Sequence, residues 1–525
     1  MKFKLKNQLP IYMLLAAPAA AMAADPIAVD DARTTLQNVP VTVNVLANDY
    51  DADGDTLSVV SISTPSNASA SLNSDGSVLV TPNKDFTGQI QFTYVLTDNT
   101  GQSRNATGTV TVSVGAFNLQ TGALNPNDRS LAAALDNLCP RLQLLSDTSI
   151  NAGTSALRDR CLALYQLGLN NPQATEQILT KLAPEEMFAQ SQVQEQFATR
   201  QTKNIQQRIL MLKQGARGAQ VGIVSGSGQA FSGGSAGEDI NSPWGLFVNG
   251  VLDDGKRDRT DNEAGYDYKG TGVTAGMDYR ISDTLIAGAA VGFNSDALDY
   301  SSHGGSLDSR VSNILLYGTW YVNAWSLDGM LGYGRGSVDS KRHISYTDVS
   351  GDFTADAKGK TNSDQAVASA TVSYDWSSAG YTVTPFFSVD WNSNHLDAFE
   401  ENGGGGWELA FDKQSTSSVL TSLGARGQFA KSYRWGVLQP SASLAWKHEM
   451  KGQRDPIVAR FAFDTDTNNT FDLNADSPDK TYFSLGLGST FVFTRGWSAY
   501  VNYDRLIGLE HITSQQLTFG GRLEL

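Results

Sequence analysis

The sequence predicts a mainly β chain: a C-terminal 12-stranded transmembrane β-barrel with a helix in its lumen, preceded by a helical hairpin segment and a small β-sandwich. Three observations predict it. Residues 244–525 alternate apolar and small or polar side chains with a period of two, residues 129–216 switch to a period of three to four, and residues 25–115 return to short alternating runs between turn residues. Composition agrees: 50 glycines in 525 residues, 18% charged residues and 40% apolar ones describe neither a disordered chain nor a highly charged soluble protein. The net charge of −15 argues against a nucleic-acid partner, because phosphates reward clustered Lys and Arg. Two cysteines exclude a disulfide-dense scaffold and a four-cysteine zinc site.

Residues 1–24 read as a secretory signal. Lys2, Lys4 and Lys6 precede an apolar stretch from Leu9 to Ala20, and Ala21-Met22-Ala23 supplies the small residues of a cleavage site. The stretch is short and broken by Pro10 and Pro18, and no other run reaches the roughly 20 apolar residues of a spanning helix. A mature chain held in a membrane is therefore held there by strands.

The sandwich, residues 25–115, is read from runs such as Val41-Thr42-Val43-Asn44-Val45, Val78-Leu79-Val80 and Thr109-Val110-Thr111-Val112. Tyr50, Phe86, Phe92 and Tyr94 are its candidate core aromatics. In residues 116–183, Leu131, Leu135, Leu138 and Leu142 recur at helical spacing, as do Leu157, Leu164 and Leu167. A longer helix follows over 184–214, about 46 Å at ~1.5 Å per residue, with Pro184, Glu185 and Glu186 in its first turn and Gly215 at its stop. Its thin stripe of Val193, Phe197, Ile205, Ile209 and Leu212 lies among Gln, Arg, Thr, Asn and Lys, which suits an exposed helix, a coiled-coil piece or a plug in a wet pore, but not lipid. A Gly/Ser linker, 217–243, leads to the final region.

There, Val273-Ala275-Met277-Tyr279, Leu285-Ala287-Ala289-Val291-Phe293 and Leu517-Phe519-Gly521-Leu523-Leu525 are apolar faces, while Ile286-Gly288-Ala290-Gly292-Asn294 and Thr518-Gly520-Arg522-Glu524 are small or polar. Aromatics near strand ends complete the pattern of a barrel with a greasy exterior and a wet lumen. Short turns (280–283, 322–324, 378–380, 495–496) alternate with long polar loops (253–265, 296–308, 340–360, 393–406, 451–480). The strand at 310–322 has an ambiguous inner face.

Several of these stretches resemble known families. Val45-Leu46-Ala47-Asn48-Asp49-Tyr50-Asp51-Ala52-Asp53-Gly54-Asp55, with Asp75-Gly76-Ser77-Val78 through Phe92-Thr93-Tyr94, resembles the bacterial cadherin-like or Ig-like repeats of surface adhesins, here in one copy. Leu182-Ala183-Pro184-Glu185-Glu186 with its Gln/Arg-rich helix, Pro440 through Trp446-Lys447-His448-Glu449, and Thr518-x-Gly520-x-x-Leu523-x-Leu525 resemble, in that order, the pore-threading segment, a barrel strand and the C-terminal signal of autotransporters (type Va secretion). The resemblance implies a Gram-negative outer-membrane location, a surface passenger, and contact with outer-membrane lipid and the barrel-assembly machinery through Gly520, Leu523 and Leu525. The family usually ends on an aromatic residue, and Leu525 departs from this. An unknown surface ligand follows if the passenger is adhesive. A pore with a periplasmic module and a surface hydrolase are the competing readings.

Chemistry candidates are few. Asp49, Asp51, Asp53 and Asp55, with Gly54 for a tight turn, set hard oxygen ligands at alternating positions and suit Ca²⁺; the same spacing serves a solvated acidic turn. The Asp30-Asp31 pair joins this set by similarity to such repeats. Cys139 and Cys161, in an exported chain, read as a disulfide. All five histidines (His303, His343, His395, His448, His511) lie in the barrel region, so neither thiol has a nearby catalytic base in sequence. Gly233-Gly234-Ser235-Ala236-Gly237 matches a nucleophile elbow without its strand–turn–helix context. The expectation is a non-enzymatic chain.

Overall fold

The computed structural model describes residues 24–100, 104–120, 124–216, 243–301, 304–493 and 497–524. Residues 1–23, the linker over 217–242, the turn at 495–496 and Leu525 lie outside the described residues. The chain divides into two compact units, 1–117 and 118–525.

In the first unit, β1 (Asp31–Leu36), β7 (Asn105–Gly115), β6 (Gly88–Thr97) and β3 (Ser58–Ile62) form one sheet, with β1 parallel to β7. The second sheet is β2 (Val41–Val43), β5 (Val78–Pro82) and β4 (Ala68–Leu72). Strict alternation along β6 and β7 turns Ile90, Phe92, Tyr94, Leu96, Val110, Val112 and Val114 inward against Val43, Val45, Val78 and Val80. Phe86 packs at the edge of this core. Tyr50 differs from expectation: it is exposed, because the acidic loop that carries it runs outside the sandwich.

The second unit opens with α1 (Pro126–Gln143), α2 (Ala152–Asn170) and α3 (Pro172–Leu182). Asn125, Asn151 and Asn171 cap them in turn, each side chain accepting from a backbone N–H three residues on (2.7, 2.8 and 3.1 Å). Helices α1 and α2 form the hairpin, and α3 follows it after Asn171 alone. A 3₁₀ turn, Glu185–Met187, then leads into α4 (Phe188–Ala216), so the long helix starts a turn later than its proline suggested.

Twelve long strands follow: 244–257, 266–282, 285–300, 305–322, 325–348, 351–374, 381–396, 414–429, 436–454, 481–493, 497–507 and 512–524. They make up a fourteen-stranded sheet together with two short hairpin extensions, 376–378 and 431–433. Each long strand pairs antiparallel with its sequence neighbours, and the twelfth pairs with the first over Ile512↔Arg257 to Glu524↔Gly245. The sheet is thus closed and has no unpaired edge, which is the condition for strands in lipid. Leu246, Val248, Phe293, Ile314, Leu316, Trp320, Leu331 and Leu423 point outward and are exposed.

Two of the expected outer loops are strand instead. The fifth and sixth barrel strands run 24 residues each and meet at a tight turn after Asp348, absorbing the polar stretch 340–360. The third and fourth strands likewise absorb most of 296–308. A bilayer needs about 9–11 residues of tilted strand, so backbone pairing continues well beyond the lipid, where polar side chains no longer oppose it. The other long loops fold too: 399–400, 409–411, 457–461 and 471–473 make a four-stranded sheet outside the barrel.

Candidate functional site

Helix α4 lies in the barrel lumen with a definite polarity. Near its C-terminal end Lys213 reaches Asp328 at 2.6 Å and Ser326 at 2.8 Å, beside the short turns. Near its N-terminal end Gln192 donates to Glu263 at 2.6 Å and bonds the Tyr266 hydroxyl, and Tyr300 donates to the Glu186 carbonyl at 3.0 Å, beside the long loops. Residues ahead of α4 therefore leave the barrel on the long-loop side, the outer face by the usual asymmetry of such barrels.

One side of α4 meets an apolar wall. Ile205, Ile209 and Leu212 pack on Phe247, Ile286, Ala290, Leu315, Tyr317 and Val367, while Ala189 and Val193 pack on Tyr266, Tyr268, Leu298 and Leu307. This explains the ambiguous 310–322 strand: Leu315 and Tyr317 face inward because the helix presents its stripe to them. Around that stripe the polar groups are matched individually. Arg200 pairs with Asp296 and, at 3.2 Å, with Asp253; Arg208 pairs with Asp278, Nε donating at 2.8 Å. Asn204 donates to Thr274 at 3.1 Å, and Gln194 donates to Ser309 at 3.0 Å. Gly270 makes room for the Arg200 group, since a Cβ there would overlap Asp253, Asp296 and the guanidinium. The opposite side is looser: a cavity of about 380 Å³ separates α4 from the last strands, lined by Glu195, Lys203, Lys447, Glu449, Arg454 and Tyr482.

At the outer mouth, α1–α3 dock on the folded loops. Arg141 pairs with Asp464 at 2.9 Å; the Asn127 side chain bonds the Asn262 carbonyl (3.0 Å) and the Asn474 N–H (2.8 Å). Asn469 donates to the Ala134 carbonyl at 3.1 Å, and Arg160 stacks on Phe353 with its Cζ 4.1 Å from the ring centroid. Beneath them Arg342 pairs with Glu401 at 2.8 Å, both buried, and donates to the Leu182 carbonyl at 3.1 Å. Acidic groups crowd this junction. Burial first, then the charge of Asp128, pushes the Glu185 carboxyl up to about 8. Burial lifts Glu186 to about 7 against the pull of Arg342, and burial also raises Asp128. Cys139 and Cys161, both fully buried, are joined in a disulfide with Cα atoms 5.6 Å apart. Closing this 22-residue separation contributes about 3 kcal/mol by loop-closure arithmetic.

The sequence-derived calcium set is divided by the structure. Asp49 lies 2.9 Å from the Tyr94 hydroxyl and accepts from the Val29 N–H at 2.7 Å, so its carboxylate is committed to the sandwich. Asp53 takes the Ala24 N–H instead. Asp30 accepts from Thr109 N–H at 2.8 Å, and Asp31, raised to about 6 by burial and by Asp49, lies in the Asp49–Tyr94 group. Asp51 and Asp55 do converge, and they meet Asp98, which sequence reasoning missed: it follows β6, far along the chain, and no local spacing flags it. Gly54, at φ +82°, supplies the left-handed turn between them.

At the C-terminus, Gly520 opposes Asn249 and Tyr500, and Leu523 opposes Trp497 and Leu246, so these two residues lie on the closing seam of the barrel. A Cβ at Gly520 would sit 2.6 Å from the Tyr500 ring.

A closed twelve-stranded barrel with greasy exterior, holding a helix of its own chain in the lumen, defines a transmembrane barrel of the outer-membrane kind. Residues 246–504 match the autotransporter β-domain family and residues 23–113 the bacterial Ig domain family. The chain belongs to the autotransporters, with a bacterial Ig domain ahead of its β-domain, and is a protein of the Gram-negative outer membrane. It is 29% identical over 254 residues to the protein YaiT of Escherichia coli (strain K12), a match covering 46% of this chain and 23% of that one. It is 25% identical over 255 residues to Esterase EstA of Pseudomonas aeruginosa, covering 47% and 37%. Among solved structures it is similar to the translocator domain of the autotransporter NalP from Neisseria meningitidis, at 14% identity and a TM-score of 0.44, covering 55% of this chain and 90% of that one. The matches span well under half the length of these curated relatives.

Proposed function

We propose that the chain displays its Ig domain, residues 25–115, on the cell surface for adhesion or interaction with a surface ligand, the barrel serving as conduit and anchor. The polarity of α4 in the lumen is the observation that carries this reading: its N-terminal end leaves at the long-loop face, so everything ahead of residue 184 is carried outward. The polar matching of α4 to the lumen supports a helix that comes to rest there rather than one in passage. Docking of α1–α3 on the outer loops supports retention of the displayed segment. The seam formed by Gly520 and Leu523 is offered to the barrel-assembly machinery during insertion.

An epitope placed at residue 25 tests the reading. Antibody should label it on intact cells, and added protease should strip it. Labelling that needs permeabilised cells favours a pore with a periplasmic module. A hydrolytic passenger is the second reading, since EstA is named as an esterase, and other similar proteins as a lipase and an extracellular serine protease. Against it, residues 25–183 contain no histidine to serve as a base. Ester or peptide turnover abolished by one substitution within 25–183 would favour it.

A further inference from the structure

Among the described residues of the Ig domain, three buried carboxylate oxygens have no hydrogen-bond partner, Asp31 Oδ2, Asp51 Oδ2 and Asp98 Oδ2, and the last two belong to the same cluster. Asp51 and Asp55 come from the connection between β2 and β3, and Asp98 from the turn after β6; one carboxylate oxygen from each lies within 4.8 Å of the others. Asp98 is only 2% exposed. Its Oδ1 accepts from the Thr100 N–H at 3.1 Å and hydroxyl at 2.8 Å, while its Oδ2 is buried and unpartnered. Asp51 repeats the pattern: Oδ1 accepts from the Asp53 N–H at 2.8 Å, and Oδ2 is buried without a partner. Buried polar atoms are nearly always bonded, and buried carboxylates are paired or bind a cation. Arg104, the cation nearby, bonds the Ala24 carbonyl at 3.1 Å and faces Asp25 at 3.8 Å.

We propose that Asp51, Asp55 and Asp98 form a calcium site that ties the β2–β3 connection, which crosses from one sheet to the other, to the end of β6. The donor set selects the ion. The three ligands are hard carboxylate oxygens, and residues 24–117 contain no His or Cys to favour zinc or copper. Calcium takes oxygens at about 2.3–2.6 Å, so ligands on opposite sides of one ion stand up to roughly 5 Å apart, which accommodates this cluster. The remaining positions of a six- to eight-coordinate ion fall to backbone carbonyls or water, as Ca²⁺ commonly requires. Asp49 and Asp53 are outside the site, for the reasons given above. The inference concerns the folded Ig domain alone and holds whichever side of the membrane that domain occupies.

The test uses the full-length protein in detergent, stripped with EDTA. Calorimetric titration with CaCl₂ should give a single binding event in the range of about 0.1–1 mM, as for extracellular modules. Asp98→Asn and Asp55→Asn should each weaken it at least about tenfold, whereas Asp53→Asn should leave it within about twofold. A second readout separates a metal ligand from a structural residue: the temperature at which proteinase K removes the Ig domain. Calcium should raise it for wild type and not for Asp98→Asn. Without calcium, Asp98→Asn should match or exceed wild type, because neutralising one carboxylate relieves the cluster's repulsion. Absence of calcium heat up to about 10 mM, equal losses for Asp53→Asn and Asp98→Asn, or a lower calcium-free temperature for both Asp98→Asn and Asp55→Asn would each overturn the proposal.

Discussion

Arg208 shows how much the lumen asks of single residues. Its guanidinium is fully buried, held by Asp278 and lying 4.7 Å from the Phe247 ring centroid, while Tyr317 donates to the same Asp278 carboxylate at 3.2 Å. Removing the acid alone strands a buried charge, which typically costs about 3–5 kcal/mol. Asp278→Ala should therefore lower the temperature at which the folded barrel loses its resistance to SDS in a gel-shift assay. Adding Arg208→Met should restore most of that loss, since no buried charge is then left without its partner. A double variant no better than the single one would show that the pair does not hold the helix. The Arg-rich character of α4 was visible in the sequence. Its partners were not: Asp253, Asp278 and Asp296 sit on three different strands, and only closure of the barrel aims them at one helix.

At the scale of elements, the three short helices behave as a unit clamped at both ends. Asparagine caps start each of them, the Cys139–Cys161 bridge joins the first two, and α3 runs directly into the buried acids at the mouth. Those acids make docking sensitive to pH, and the sign follows from linkage. Glu185 has an ordinary value of 4.5 and a docked value of about 8, so the docked state holds more protons; its stabilisation is complete below 4.5 and is lost as pH rises toward 8. Reduction of the buried disulfide by a phosphine, normalised to an exposed peptide disulfide, should be faster at pH 8.5 than at pH 6. Glu185→Gln keeps the acceptor for Asn125 but cannot ionise, and should weaken this dependence, leaving the part that Glu186 contributes. A wild-type rate equal at both values would show that the junction does not open with ionisation. Helical spacing revealed α1, α2 and α4, whereas α3 is too short to announce itself. Its existence rests on Asn171 and Pro172, a cap and a first-turn proline that serve equally as a turn.

The whole molecule is organised by its solvent. Lipid on one side and a wet lumen on the other impose the period-two alternation, and the same alternation tells which faces tolerate charge. Ile314 lies on the outer wall at 64% exposure. Ile314→Arg should cost about 2–4 kcal/mol near the bilayer midplane and reduce the SDS-resistant fraction in outer membranes. Ser312→Arg, on the same face and nearer the outer loops, should cost less; equal effects would place the lipid boundary elsewhere.

The sequence by itself determined the barrel, its lipid face, the existence of the long polar helix and the small sandwich, because each follows from a local periodicity that needs no partner to be read. Closure decided the rest. Strands persist beyond the bilayer because neighbouring strands continue to pair, and the outer loops fold because they lie against one another and against α1–α3. Asp98 joins Asp51 and Asp55 for the same reason: hydrogen bonding of β6 in the sheet brings its end to a loop that the chain left long before. Contacts between distant segments carry no mark in local spacing, so the lumen's ion pairs, the docked helices and the three-carboxylate cluster exist only once the backbone has folded.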